Sequence, residues 1–171
     1  SPNRVKYLEA TPHFVEINEN DLCVCPIKLE KYLSIICKFQ NNISINKKTG
    51  KKIRVLIVTN IFGHLADYQR LRKVCNKFKI KIVEDASESL GSYYKNKPAG
   101  TIGDLGVLSF NGNKIITTGG GGAVIINNNK YYKSVYSLIT IGKKNKKIFF
   151  DYDRVGYNYR MPSINAALGI S

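Results

Sequence analysis

The spacing of apolar and polar positions changes several times along the chain, and each change marks an element. Residues 53–59, Ile-Arg-Val-Leu-Ile-Val-Thr, form a β-branched run that predicts a strand. A turn containing Gly63 follows over residues 60–64. Between residues 65 and 78, Leu65, Tyr68, Leu71, Val74, Cys75 and Phe78 recur at helical spacing on one face. Residues 79–84, Lys-Ile-Lys-Ile-Val-Glu, then predict a second strand. Strand, helix and strand joined by short links make a βαβ unit, so the sheet is expected to be parallel here. Ligands of such sheets bind beyond the carboxyl ends of the strands. That rule points to Asp85, Ala86, Ser87 and Glu88, although Asp85 reads equally well as a helix N-cap.

The flanking segments are read in the same way. Residues 5–9 and 13–17 are expected to be extended, because Thr11-Pro12 breaks any helix between them. A helix is predicted over residues 26–37, with Pro26 in its first turn and Ile27, Leu29, Leu33, Ile36 and Cys37 at helical spacing. Residues 41–52 are polar, contain Lys-Thr-Gly and read as a loop, and residues 92–101 are a polar excursion. Short apolar runs at 105–110 and 123–126 read as strands. After a turn at Asn127-Asn128-Asn129, a helix is expected over 130–139, with Tyr132, Val135, Tyr136 and Ile139 on one face. A charged loop at 143–147 leads to residues 151–161, which are dense in groups that donate to or stack on a ligand. Pro162 opens a last helix.

Composition narrows the class. The chain has 171 residues, 43% of them hydrophobic, which suits one globular domain with a sizeable core. No apolar run is long enough to cross a bilayer, and the N-terminal residues lack a signal-peptide core. Cys23 and Cys25 form a C-x-C without a second close pair or a nearby His, so free thiols in a reducing cytoplasm are expected rather than a zinc set. The net charge of +15 raises a basic nucleic-acid-binding module as an alternative. Its basic residues are scattered through every segment, however, and no repeated aromatic stacking platform is interleaved with them.

The stretch between the two late strands carries the most chemistry: Ser109-Phe110-Asn111-Gly112-Asn113-Lys114-Ile115-Ile116-Thr117-Thr118-Gly119-Gly120-Gly121-Gly122. Lys114 stands at the exit of a buried strand, in a turn with the backbone freedom that glycine gives. A lysine so placed holds a phosphate, acts as a base, forms a Schiff base with a carbonyl, or is a surface residue of a hairpin. The P-loop order fails, because here the glycines follow the lysine and Ile115 comes next.

Three segments occur in order: Val83-Glu84-Asp85-Ala86-Ser87-Glu88, then Gly103-Asp104 through Lys114 to Gly122, then Gly156-Tyr157-Asn158-Tyr159-Arg160-Met161. Together with Ile61-Phe62-Gly63-His64 they resemble the DegT/DnrJ/EryC1/StrS nucleotide-sugar aminotransferases, which are fold-type I enzymes dependent on pyridoxal 5′-phosphate. The resemblance implies a three-layer α/β/α fold with a mixed, mostly parallel sheet. It implies that Lys114 forms a Schiff base with the cofactor and moves the proton. Asp85 would pair with the pyridine nitrogen, and Ser109 would bind the cofactor phosphate. Glu88 stands where the family usually has Gln, beside the 3-hydroxyl. Asn158 would reach the phosphate in the neighbouring subunit of a homodimer, with Tyr159 and Arg160 near that interface. The implied activity is transfer of an amino group from glutamate to a nucleotide-linked 4-keto-6-deoxy sugar for surface glycans, in the cytoplasm. A catalytically inactive chain of the same fold is the other reading. Residues 1–171 would correspond to the central and C-terminal part of the cofactor-binding large domain, without the small C-terminal domain. The N-terminal glycine–hydroxyl phosphate loop and the ring-stacking residue would lie outside them, so these residues alone are expected to hold the cofactor weakly or not at all.

Overall fold

The computed structural model describes residues 2–143 and 151–171. From residue 144 onward, the charged loop expected at 143–147 lies outside the described residues. The chain runs through α1 (Pro2–Tyr7), α2 (Pro26–Ile36), β1 (Cys37–Gln40), β2 (Ile43–Asn46), β3 (Val55–Thr59), α3 (Tyr68–Lys77) and β4 (Lys81–Asp85). It continues through β5 (Tyr93–Tyr94), β6 (Lys97–Pro98), β7 (Leu105–Ser109), β8 (Gly122–Ile126), α4 (Tyr132–Ile139) and α5 (Ser163–Ile170).

The main sheet has the order β3-β4-β7-β8. β3, β4 and β7 are parallel, and β8 returns antiparallel to β7. This is the mixed, mostly parallel α/β sheet that the resemblance implies, and its β3-α3-β4 part is parallel, as the strand–helix–strand pattern predicts. Register fixes two faces, because side chains alternate along a strand. Val58, Glu84 and Gly106 are register partners on one face. Thr59, Asp85 and Val107 are partners on the other, and Ser109, two residues beyond Val107, shares their side.

The first face carries the core. Val58 and Ile82 are fully buried there among Leu29 and Leu33 of α2 and Leu71, Val74 and Cys75 of α3. α3 begins later than the apolar spacing predicts, because Asp67 caps it by accepting from the Arg70 N–H at 3.1 Å. All four cysteines are free thiols, and burial pushes the Cys75 thiol up to about 12. Gly106 is obligatory, since a Cβ on it would overlap the carbonyl oxygen of Gly100.

Two expectations are corrected. Residues 5–9 are not extended. Pro2–Tyr7 is helical, and the chain then folds back through Glu9 (φ 56°), with Leu8 and Ala10 donating to the Val5 carbonyl. Proline suits a first helical turn, and the Thr11-Pro12 break acts only beyond that point. Residues 41–52 are not simply a loop, because β1 and β2 pair as an antiparallel hairpin. Its turn is Asn41-Asn42, with φ of 49° and 60°, the left-handed pair that a tight two-residue turn requires and asparagine tolerates.

Candidate active site

Three parallel strands deliver their carboxyl ends to one edge of the sheet, as β3 ends at Thr59, β4 at Asp85 and β7 at Ser109. Asp85 does not cap a helix. It ends β4, and its Oδ1 accepts from the Ser87 hydroxyl at 2.6 Å and the Ser87 N–H at 3.3 Å. Asp85 and Ser109 are half-buried and share the face opposite the α2–α3 core. A carboxylate and a hydroxyl therefore share one face at the carboxyl ends of neighbouring strands.

Lys114 comes from the 110–121 connection between β7 and β8. That connection is tied at its base by Phe110 N–H to the Gly121 carbonyl (3.0 Å) and Thr118 N–H to the Phe110 carbonyl (3.1 Å). The Lys114 N–H donates to the Asn111 carbonyl at 3.0 Å. Thr118 is buried, and its carbonyl accepts from the Asn165 side chain of α5 at 2.6 Å. Gly121 has φ of 125°, and a Cβ there would come within 2.8 Å of Met161 Cε. The glycine run thus serves backbone conformation and close packing, while the lysine projects from the middle of the connection. The Lys114 side chain is only 17% exposed, and its Nζ lies 3.8 Å from Glu88 Oε1. The other Glu88 oxygen accepts from the Phe62 N–H at 3.1 Å.

On the core side of these strand ends lies a buried network that periodicity alone does not reveal. Glu84 is fully buried. Its Oε1 accepts from Gly100 N–H (2.6 Å) and Asn60 Nδ2 (3.1 Å), and its Oε2 from Ile102 N–H (3.0 Å) and Gly103 N–H (3.2 Å). Asn60 also donates to Ser89 Oγ at 3.3 Å and accepts from the Tyr68 hydroxyl at 2.8 Å. Burial, with the nearby Glu84 charge, pushes the Tyr68 phenol well above its ordinary value. The Asn60 N–H donates to the Asp85 carbonyl at 3.0 Å, so this one residue ties the end of β3 to the end of β4. The signal in the sequence is a carboxylate two residues from Ile82, on the face that alternation buries, where it must find donors.

Asp104 braces the same loop from outside. Burial alone would raise its carboxyl pKa, but the Ile82 N–H, the Arg72 guanidinium at 2.7 Å and the charge of Lys81 hold it below the usual range. Asn158, Tyr159 and Arg160 are exposed on a separate segment joined to the end of α4, where Thr140 and Asn158 form an antiparallel bridge. Asp85 and Ser109 therefore stand at the ends of β4 and β7, Glu88 and Lys114 meet beyond those ends, and Asn158 lies on a separate segment.

The family model for the DegT/DnrJ/EryC1/StrS aminotransferase family matches residues 1–171. The chain belongs to this family. Similar proteins include GDP-perosamine synthase of Escherichia coli O157:H7, 33% identical over 100% of this chain and 42% of that protein. Among solved structures, Helicobacter pylori PseC, an aminotransferase involved in pseudoaminic acid biosynthesis, superposes with a TM-score of 0.81 at 28% identity, over 98% of this chain and 41% of that one. NtdA of Bacillus subtilis, solved with bound cofactor PMP, gives a TM-score of 0.78 at 25% identity, over 98% of this chain and 34% of that one. The chain thus spans about two-fifths of the length of the first two of these relatives. Among the described residues no helix is long and apolar enough to cross a membrane.

Proposed function

We propose that this chain is the central part of a pyridoxal-phosphate-dependent enzyme that transfers an amino group, from glutamate, to a nucleotide-linked 4-keto-6-deoxy sugar for surface glycans. The observation that carries the proposal is the placement of Asp85 and Ser109 at the carboxyl ends of β4 and β7, with the shielded Lys114 amine beyond β7 facing Glu88 beyond β4. The donor set fits the cofactor, with a carboxylate for a ring nitrogen, a hydroxyl for a phosphate and a shielded amine for an aldehyde. The names of the relatives support the sugar assignment, and the PMP bound to NtdA supports the cofactor. Residues 1–171 are read as part of the cofactor-binding large domain of a cytoplasmic enzyme.

Pyridoxal phosphate, when bound, supplies the electron-poor ring that stabilises negative charge on the carbon losing its proton. Asp85 keeps the ring nitrogen protonated by accepting its hydrogen bond. Ser109 donates its hydroxyl to the phosphate. Lys114 Nζ anchors the group and carries the proton that leaves the substrate carbon. Glu88 accepts at the 3-hydroxyl position. Asn158, exposed on its segment, reaches the phosphate of a second copy in a homodimer.

The test is a coupled assay of the full-length enzyme that contains these residues, with pyridoxal phosphate, glutamate and a nucleotide-linked 4-keto-6-deoxy sugar, reading 2-oxoglutarate and the amino sugar by mass spectrometry. Both products are expected, and both are absent in Lys114→Ala. Cofactor trapped on Lys114 without either product means an inactive chain of the same fold.

A further inference from the structure

We propose that Glu88 is the positioning residue of Lys114, holding its amine at the strand ends and tying it to the 61–63 turn before any ligand arrives. The inference rests on the reading of Lys114 as the reactive amine, but its geometry stands without the cofactor. The two Glu88 oxygens have separate tasks. Oε1 faces the Lys114 ammonium at 3.8 Å, and Oε2 accepts from the Phe62 N–H at 3.1 Å. The turn it holds is unusual: Phe62 is a non-glycine residue at φ 52°, followed by Gly63 at φ 84°. A left-handed phenylalanine persists only where its surroundings fix it. The same carboxylate thus secures a strained turn after β3 and the lysine after β7, and its own turn follows β4.

The acid does what an amide cannot. A glutamate offers an acceptor on each oxygen, whereas a glutamine offers one acceptor and one donor group. With glutamine at position 88, the single oxygen serves either the Phe62 N–H or the lysine. The amide NH2 then faces the other donor. The Phe62 N–H lies within hydrogen-bond distance at 3.1 Å, whereas the ammonium stands off at 3.8 Å, so Lys114 is the partner released.

The experiment needs no cofactor. In the full chain, acylation of each lysine by an amine-reactive ester is followed by peptide mass spectrometry, with hydrogen exchange at the Phe62 amide measured in parallel. Glu88→Gln is expected to speed labelling of Lys114 about two- to fivefold, the range for a partly exposed ion pair, and to leave Phe62 protected. Lys77, whose ion pair with Glu30 lies elsewhere, serves as the internal control and stays unchanged. Glu88→Ala is expected to release Lys114 equally and to expose the Phe62 amide. Unchanged Lys114 labelling in the isosteric Glu88→Gln protein overturns the proposal, as does an equal change at Lys77, which means general loosening. A labelling change at Lys114 in a full-length enzyme that never takes up pyridoxal phosphate leaves the pairing intact and overturns the functional reading instead.

Discussion

Glu84 and Asp85 are consecutive residues of β4 with the same functional group, yet they face opposite sides of the sheet. Glu84 points to the side packed by α2 and α3, has no exposed surface and receives four protein hydrogen bonds. Asp85 lies on the opposite side, is half-buried and shares that side with Ser109. The strand's period of two separates structure from chemistry within a single peptide unit. One carboxylate shapes the loop that leads into β7, and the other is presented at the strand ends.

The comparison breaks most visibly at Glu84. Glu84→Ala strands several buried donors at about 1–3 kcal/mol each, so a loss of about 3 kcal/mol or more is expected in urea denaturation. Asp85→Asn is expected to stay within about 0.5 kcal/mol of the parent, as for partly exposed sites, while weakening cofactor capture about tenfold through loss of a charge-assisted hydrogen bond. If both substitutions destabilise equally, the division of labour is wrong. Gly106→Ala, on the Glu84 side, drives a methyl into the Gly100 carbonyl and is expected to cost about 1–3 kcal/mol by overpacking. The smallest effect is in acid. Asp104 titrates lower in the folded chain than in the unfolded one, so the unfolded chain binds more protons between those two values and stability rises with pH there. The contribution is complete above about pH 4, the ordinary aspartate value, and disappears as pH falls through the depressed folded value. Asp104→Asn is expected to flatten that limb in pH-dependent thermal melts.

Much of this was legible beforehand, for reasons that differ by element. The βαβ unit was visible because β3 and β4 are β-branched and α3 keeps one apolar face over its whole length. The β1–β2 hairpin was not, because its signal is two asparagines able to adopt left-handed φ, hidden in a polar stretch. Asp85 and Lys114 stood out because strand ends are few and the glycine run is conspicuous, whereas Ser109 was assigned only through the family resemblance. Asn60 did not, since its role lies in hydrogen bonds to the end of β4 and to Glu84, partners more than 20 residues away in sequence. Glu88 could be located by its neighbours, but its link to Phe62 required the fold.

The central claim concerns Lys114, and chemical trapping tests it most directly. The full-length enzyme that contains this chain is mixed with pyridoxal phosphate, reduced with borohydride and digested, and every lysine is quantified by mass spectrometry beside Lys114→Ala and Asp85→Asn. Trapping captures even a short-lived complex. The account predicts that the modification concentrates on the peptide carrying Lys114, falls in Asp85→Asn and vanishes from that peptide in Lys114→Ala, while surface lysines stay at background. Modification spread evenly over the surface lysines, with Lys114 no more reactive than Lys77, would contradict it.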